Sequence, residues 1–197
     1  MNDYRIYLNE PAHAETWING GLVPISPASR YKSETRQGVF TPDENRIFQS
    51  TGIPEHVFRP GPTWGALQVN AGIVTFKDCT VRTPLGETPL NGTVHARDED
   101  GLILSISRGS VARWKQEGKQ ACVRLVDIAR LRSVLDKAIG RQSLADEVRY
   151  TVTMQRHHFL KGREDRWQRE YRFFWAVENP EVTWVELPPG IAIGSEF

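Results

Sequence analysis

The sequence predicts an α+β fold: a split, mainly antiparallel β-sheet with few helices. Three observations predict it. Strand-like runs outnumber helix-like ones. Most neighbouring strands are joined by turns and loops, not by the helical crossovers that parallel pairing needs. The chain has 197 residues, 39% hydrophobic and 25% charged, which suits a globular domain with its own core. Residues 1–193 read as a single domain with no internal repeat. Gly194-Ser195-Glu196-Phe197 resembles two cloning-site dipeptides and is left outside the fold.

Taken in order, Arg5-Ile6-Tyr7-Leu8 reads as a short strand. Pro11 opens a helical stretch with Ala14, Trp17 and Ile18 on one face, and Gly20-Gly21 closes it. Leu22 to Ser26 is the next strand. Residues 27–64 hold Pro27, Pro42, Pro54, Pro60 and Pro62 and predict an ordered loop-rich segment, with a short helix near Asp43 to Gln49. Short β-rich runs follow at 66–76 and 79–85. A turn at Arg97–Gly101 precedes a strand ending in Ser105-Ile106-Ser107. Val111 to Glu117 gives one or two helical turns, and 121–127 a strand. Asp127 caps a helix with apolar face Ile128, Leu131, Leu135, Ala138 and Ile139, ended by Gly140. Residues 148–154, 171–177 and 183–187 are the remaining strands.

Charge sets limits on partners. Lys and Arg total 25 against 24 Asp and Glu, a net charge of +1. A nucleic-acid or membrane partner would therefore need a local patch. No apolar run reaches the length of a membrane helix, and the N-terminus lacks a signal core, so no membrane partner is expected. Cys79 and Cys122 form neither a metal spacing nor a disulfide framework, so no metal is expected and a reduced cytoplasmic setting is.

Four features bear on chemistry. Arg5, in a short apolar strand, calls for a carboxylate or a phosphate partner, or faces solvent. Ser105 and Ser107 are two apart in a strand and share a face. They either brace a ligand or line a solvated side. If the segment is extended, Gln168 and Glu170 also share a face. A carboxylate beside an amide suits glycosidic chemistry, the carboxylate stabilising an oxocarbenium-like sugar. The bland alternative is a surface strip of ion pairs, since arginines surround them. The stretch from Arg156 to Arg172 carries six basic residues, Lys161 among them, against three acidic ones. His157, His158, Trp167 and Tyr171 are interleaved, a pattern able to contact a nucleic-acid backbone or a pyrophosphate.

These blocks occur in a familiar order. The chain resembles a broad family of bacterial and phage-associated proteins of uncharacterised function, distantly related to ADP-ribosyltransferase toxins. The resemblance rests on YRIYLNEPAHAETWINGGLVPIS, on TPDEN at 41–45, on LILSISRGSVARWKQEGKQACVRL, on FLKGREDRWQREYRFFWAV and on VTWVELPPGIAIG. It implies an ADP-ribosyltransferase-like fold with NAD as substrate. Arg5, Ser105, Ser107, Trp114 and Lys161 would bind NAD. Glu170 would hold the nicotinamide ribose and stabilise positive charge, and Gln168 would place the acceptor. The pattern departs from the family at Ile106, where Thr is usual, and by lacking a Tyr shortly after Trp114.

Two readings of function follow. One is an NAD-dependent toxin or phage-conflict effector that transfers ADP-ribose to a protein or nucleic-acid acceptor, or hydrolyses NAD, with an antitoxin as a further partner. The other is a non-catalytic phage or prophage interaction protein that binds and inhibits a host protein. The second is motivated by aromatic residues in the Pro-rich segment: Tyr31, Phe40, Phe48, Phe58 and Trp64.

Overall fold

A computed structural model describes residues 3–32, 45–58, 71–83 and 86–197. The chain is an α+β protein with mainly antiparallel sheets and few helices. The strands are β1 (Arg5–Leu8), β2 (Gly21–Pro27), β3 (Arg46–Thr51), β4 (Gly72–Thr83), β5 (Gly86–Asp98), β6 (Leu102–Ser107), β7 (Ala121–Leu125), β8 (Leu144–Glu147), β9 (Arg149–Thr151), β10 (Leu160–Gly162), β11 (Glu170–Trp175), β12 (Thr183–Leu187) and β13 (Ala192–Gly194). The helices are α1 (Ala12–Asn19), α2 (Val111–Gln116) and α3 (Ile128–Ile139), and Arg163–Gln168 forms a 3₁₀ turn.

The main sheet forks at β6. One edge of β6 pairs along its whole length with β11, Leu102 opposite Trp175 through Ser107 opposite Glu170. The other edge is shared. Its start meets β2 at Ile103 and Leu102, and its end meets β1 at Ser107. From there β1 continues to β7 and β13, while β2 continues to β12. Beyond β11 lies β8. All of these pairings are antiparallel; β9 and β10 pair in parallel.

Alternation along the strands divides the sheet into two faces. Tyr4, Ile6, Leu104, Ile106, Phe173 and Trp175 face the main core with Trp17 of α1 and Leu131 and Leu135 of α3. Trp175 Nε1 donates to Asp136 of α3 at 2.8 Å, anchoring β11 to that helix. Capping sets the limits of α3. The Asp127 carboxylate accepts from the Arg130 N–H at 3.0 Å, and Gly140 ends the helix at φ +75°. Gly20 ends α1 at φ +87°, where a Cβ would lie 2.8 Å from the Leu187 carbonyl oxygen. A side chain there would push β12 off β2.

A second sheet, β3-β5-β4, has its own core of Phe48, Ile53, Val57, Leu90, Val94 and Ala96. Phe48 joins it to the segment before β10 through paired backbone hydrogen bonds with Arg156.

Several expectations need correction. The short helix near Asp43 to Gln49 is instead β3 from Arg46 onward; Asp43 and Glu44 lie outside the described residues. Arg-Ile-Phe-Gln-Ser-Thr offers the alternation and β-branching that pairing with β5 rewards. The run 148–154 forms a strand only at Arg149–Thr151, because Thr153 and Gln155 enter side-chain turns on Thr151 and Thr153. Arg97 and Asp98 belong to β5, not to the following turn. Gly194 pairs in β13, and the Phe197 ring lies 6.1 Å from that of Tyr7, so residues 194–197 do pack on the sheet. Of the Pro-rich segment's aromatics, Phe48 is buried and Tyr31 half-buried. Phe40, Trp64 and the Phe58 side chain lie outside the described residues. Among the described residues, no helix is long and apolar enough to cross a membrane.

Candidate functional site

Register brings three of the sequence-selected residues into one row. Arg5 on β1 stands opposite Ser107 on β6, and Ser107 stands opposite Glu170 on β11. Directly opposed residues share a face of the sheet, here the face away from α1 and α3. Ser105 and Arg172 form the adjacent row, with Arg172 Nε donating to Ser105 Oγ at 3.3 Å.

Glu170 is enclosed. Its Oε1 accepts from Lys161 Nζ at 2.9 Å, and its Oε2 accepts from Arg172 Nη2 at 2.8 Å and Nε at 3.1 Å. Its backbone N–H donates to the Tyr150 hydroxyl at 3.0 Å. Burial pushes the Glu170 pKa up. The charges and hydrogen bonds of Lys161 and then Arg172 outweigh burial, leaving it at about 2. The carboxylate is therefore ionised at neutral pH. Burial, with the Glu170 charge, raises the Tyr150 pKa, so its hydroxyl stays protonated.

Gln168 and Lys161 complete this cluster. Lys161 Nζ also donates to Gln168 Oε1 at 3.0 Å, and Gln168 Nε2 donates to Asp165 at 2.9 Å. Gln168 is 1% exposed and Glu170 6%. The turn Arg163–Gln168 and β10 thus lie over the row and are tied to it by Lys161.

Ser107 ties three segments together. Its hydroxyl donates to the Gln168 carbonyl, and accepts from the Gly109 N–H at 2.8 Å and the Trp114 indole N–H at 3.0 Å. Trp114 stacks on Tyr7 with ring centroids 4.9 Å apart, and meets Trp167 at 4.8 Å.

Arg5 sits at the open end of the row. One terminal nitrogen pairs with Asp3 at 2.7 Å, while its Nε is buried without an acceptor. Arg5 and Val111 line a groove of about 590 Å³ along which residues 194–197 run. Ser105, Ser107 and Glu170 thus lie on the sheet face beneath the cover, Lys161 and Gln168 reach them from it, Trp114 bonds Ser107, and Arg5 sits at the margin.

Two participants were not singled out from the sequence as site residues. Arg172 had a legible signal, since it lies two residues beyond Glu170 and must share its face in a strand. Tyr150 had none, because only the pairing of β9 with β10 and its packing on the turn Arg163–Gln168 bring its hydroxyl to Glu170. Comparison of the chain with protein-family models, with curated proteins and with solved structures gives no match.

Proposed function

We propose that the row is an NAD site and that the protein transfers ADP-ribose from NAD to a protein or nucleic-acid acceptor. The observation that supports this is the single register line Arg5–Ser107–Glu170 across three adjacent strands. It aligns a phosphate-binding fork, a hydroxyl and an ionised carboxylate on one face. Arg5 suits the pyrophosphate, since its buried Nε has a hydrogen to donate and a groove beside it.

The chemistry asks little of the protein beyond position and charge. The bond from ribose to the cationic nicotinamide ring breaks, and nicotinamide leaves neutral with the bonding electron pair. The oxocarbenium-like sugar left behind is stabilised by an adjacent carboxylate and captured by the acceptor nucleophile. Glu170 is that carboxylate in this reading, and the ligand displaces Lys161 from its Oε1.

The test is NAD binding and nicotinamide release by the purified protein, with Glu170→Gln as the control. Release is expected to fall on the order of 100-fold or more in the variant. Full activity in a folded Glu170→Gln protein overturns the assignment.

A second reading, a non-catalytic interaction protein that inhibits a host protein, is favoured by a different observation. Both Glu170 oxygens already accept hydrogen bonds, and the group is buried. In that case the row is a structural ion cluster. Absence of both NAD binding and nicotinamide release, in protein shown to be folded, selects this reading.

A further inference from the structure

The cover over the row sorts its charges. In a 3₁₀ turn, side chains three apart lie above one another, so Arg163–Gln168 presents three lines. Asp165 and Gln168 form the inner line and are hydrogen-bonded to each other. Glu164 and Trp167 form a second. Trp167 packs on Trp114, with the Arg113 guanidinium 5.1 Å from its ring centroid. The Glu164 carboxylate folds back over Gly162, where a Cβ would lie 1.9 Å from its Oε1. Arg163 and Arg166 form the third line. Arg169 follows directly, closing the turn in the left-handed conformation at φ +47°, and so extends the exposed arginines past the end of the turn without stacking on the other two. All three arginines are exposed, and among the described residues no carboxylate pairs with any of them.

We infer that this arginine line is a docking track for the phosphodiester backbone of a nucleic acid. Arg163 and Arg166, three residues apart in the turn, stand about 6 Å apart, and Arg169 follows at its end. A polynucleotide offers one charge per residue in a regular series, and guanidinium forks match phosphate oxygens. Trp167 is already engaged with Trp114 and Arg113, so base stacking plays no part and recognition is independent of sequence. The turn is held in place by Lys161 and by the Asp165–Gln168 pair, so the backbone that carries these arginines is in position before binding. Because the chain's net charge is only +1, this local line supplies the attraction that bulk charge does not. Arg169 adjoins Glu170, so a bound strand passes beside the row. The inference stands whether or not NAD is bound there.

The test is fluorescence anisotropy with a labelled single-stranded oligonucleotide of mixed sequence, about 20 nucleotides long, in about 50 mM salt. An acidic peptide of equal charge is the competitor. The unaltered protein is expected to bind the oligonucleotide. A triple variant, Arg163→Gln with Arg166→Gln and Arg169→Asn, is expected to bind at least about 10-fold more weakly, and the slope of log Kd against log salt should drop by about 2. Asn is chosen at 169 because it accepts a positive φ, and circular dichroism checks that the variant is folded. Three results overturn the inference: no binding by the unaltered protein, an unchanged salt slope in the folded variant, or equal affinity for the acidic peptide.

Discussion

Lys161 Nζ lies 2.9 Å from Glu170 Oε1, and neither side chain is more than 7% exposed. The lysine comes from β10 and the carboxylate from the first residue of β11. Together with the Ser107 hydroxyl's bond to the Gln168 carbonyl, this contact fastens the cover to the sheet. With Arg172 it also explains why an acid at the end of a strand is ionised although buried.

Acid stability should report the pair directly. The Glu170 pKa is lowered from 4.5 to about 2 on folding. A depressed folded-state pKa contributes stability that is present above the ordinary value and lost as pH falls through the folded one. Stability of the unaltered protein is therefore expected to drop between pH 4.5 and about 2. Glu170→Gln should show a shallower drop in that window, together with lower stability at neutral pH, because Lys161 and Arg172 lose their carboxylate. Urea unfolding at a series of pH values measures both.

Lys161→Met should weaken the fold from the other side. Removing one partner of a buried pair costs roughly 3 kcal/mol. Amide exchange in residues 160–168 is expected to rise, since the cover loses its tie to Glu170 and Gln168. Unchanged exchange there would show that β9, Tyr150 and the Ser107–Gln168 bond hold the cover without it.

Ser107→Ala leaves the Trp114 indole N–H and the Gly109 N–H without their shared acceptor. Each sits at a contact that water does not readily enter, so the cost is expected to be about 2 kcal/mol by chemical denaturation.

Arg5→Gln separates binding from stability. Its ion pair with Asp3 is partly exposed and is worth about 1 kcal/mol or less. Unfolding should shift little. If Arg5 takes the NAD pyrophosphate, calorimetric titration with NAD should show affinity weakened about 10-fold, the loss of roughly one charge-assisted hydrogen bond.

Gly92→Ala tests the second sheet. A Cβ at 92 would lie 2.0 Å from the Thr51 carbonyl oxygen and 2.8 Å from the Gly52 carbonyl carbon. Both are backbone atoms and cannot swing aside, so β3 must move from β5. A loss of about 2 kcal/mol or more is expected in a thermal or urea melt.

Much of the element order was legible in the sequence, because local physics decides it. The Asp127 cap, the Leu131 and Leu135 stripe and the closing Gly140 define α3 without reference to anything distant. The apolar runs at 102–107 and 171–175 announce β6 and β11 in the same way. Alternation also put Ser105 with Ser107. It does not account for Gln168 and Glu170: Gln168 closes a 3₁₀ turn, Arg169 is left-handed, and the two side chains meet through Lys161 instead. Local signals failed where pairing overrode them. Arg46–Thr51 becomes a strand because β5 lies beside it, and 152–154 leaves the ladder because threonine hydroxyls take up the backbone N–H groups.

What only the tertiary structure decided is register and enclosure. Nothing in the sequence says that Arg5 falls opposite Ser107 and Ser107 opposite Glu170, since a slip of one residue in either pairing would turn the row inside out. Nothing local says that Lys161 reaches Glu170, or that a strip of mixed charge divides into a buried half and an exposed half. Strand identity is a property of a few neighbouring residues. Register, burial and the choice of ion partner depend on contacts between segments far apart in the chain, such as Leu187 opposite Gly21, and those exist only once the sheet has closed on itself.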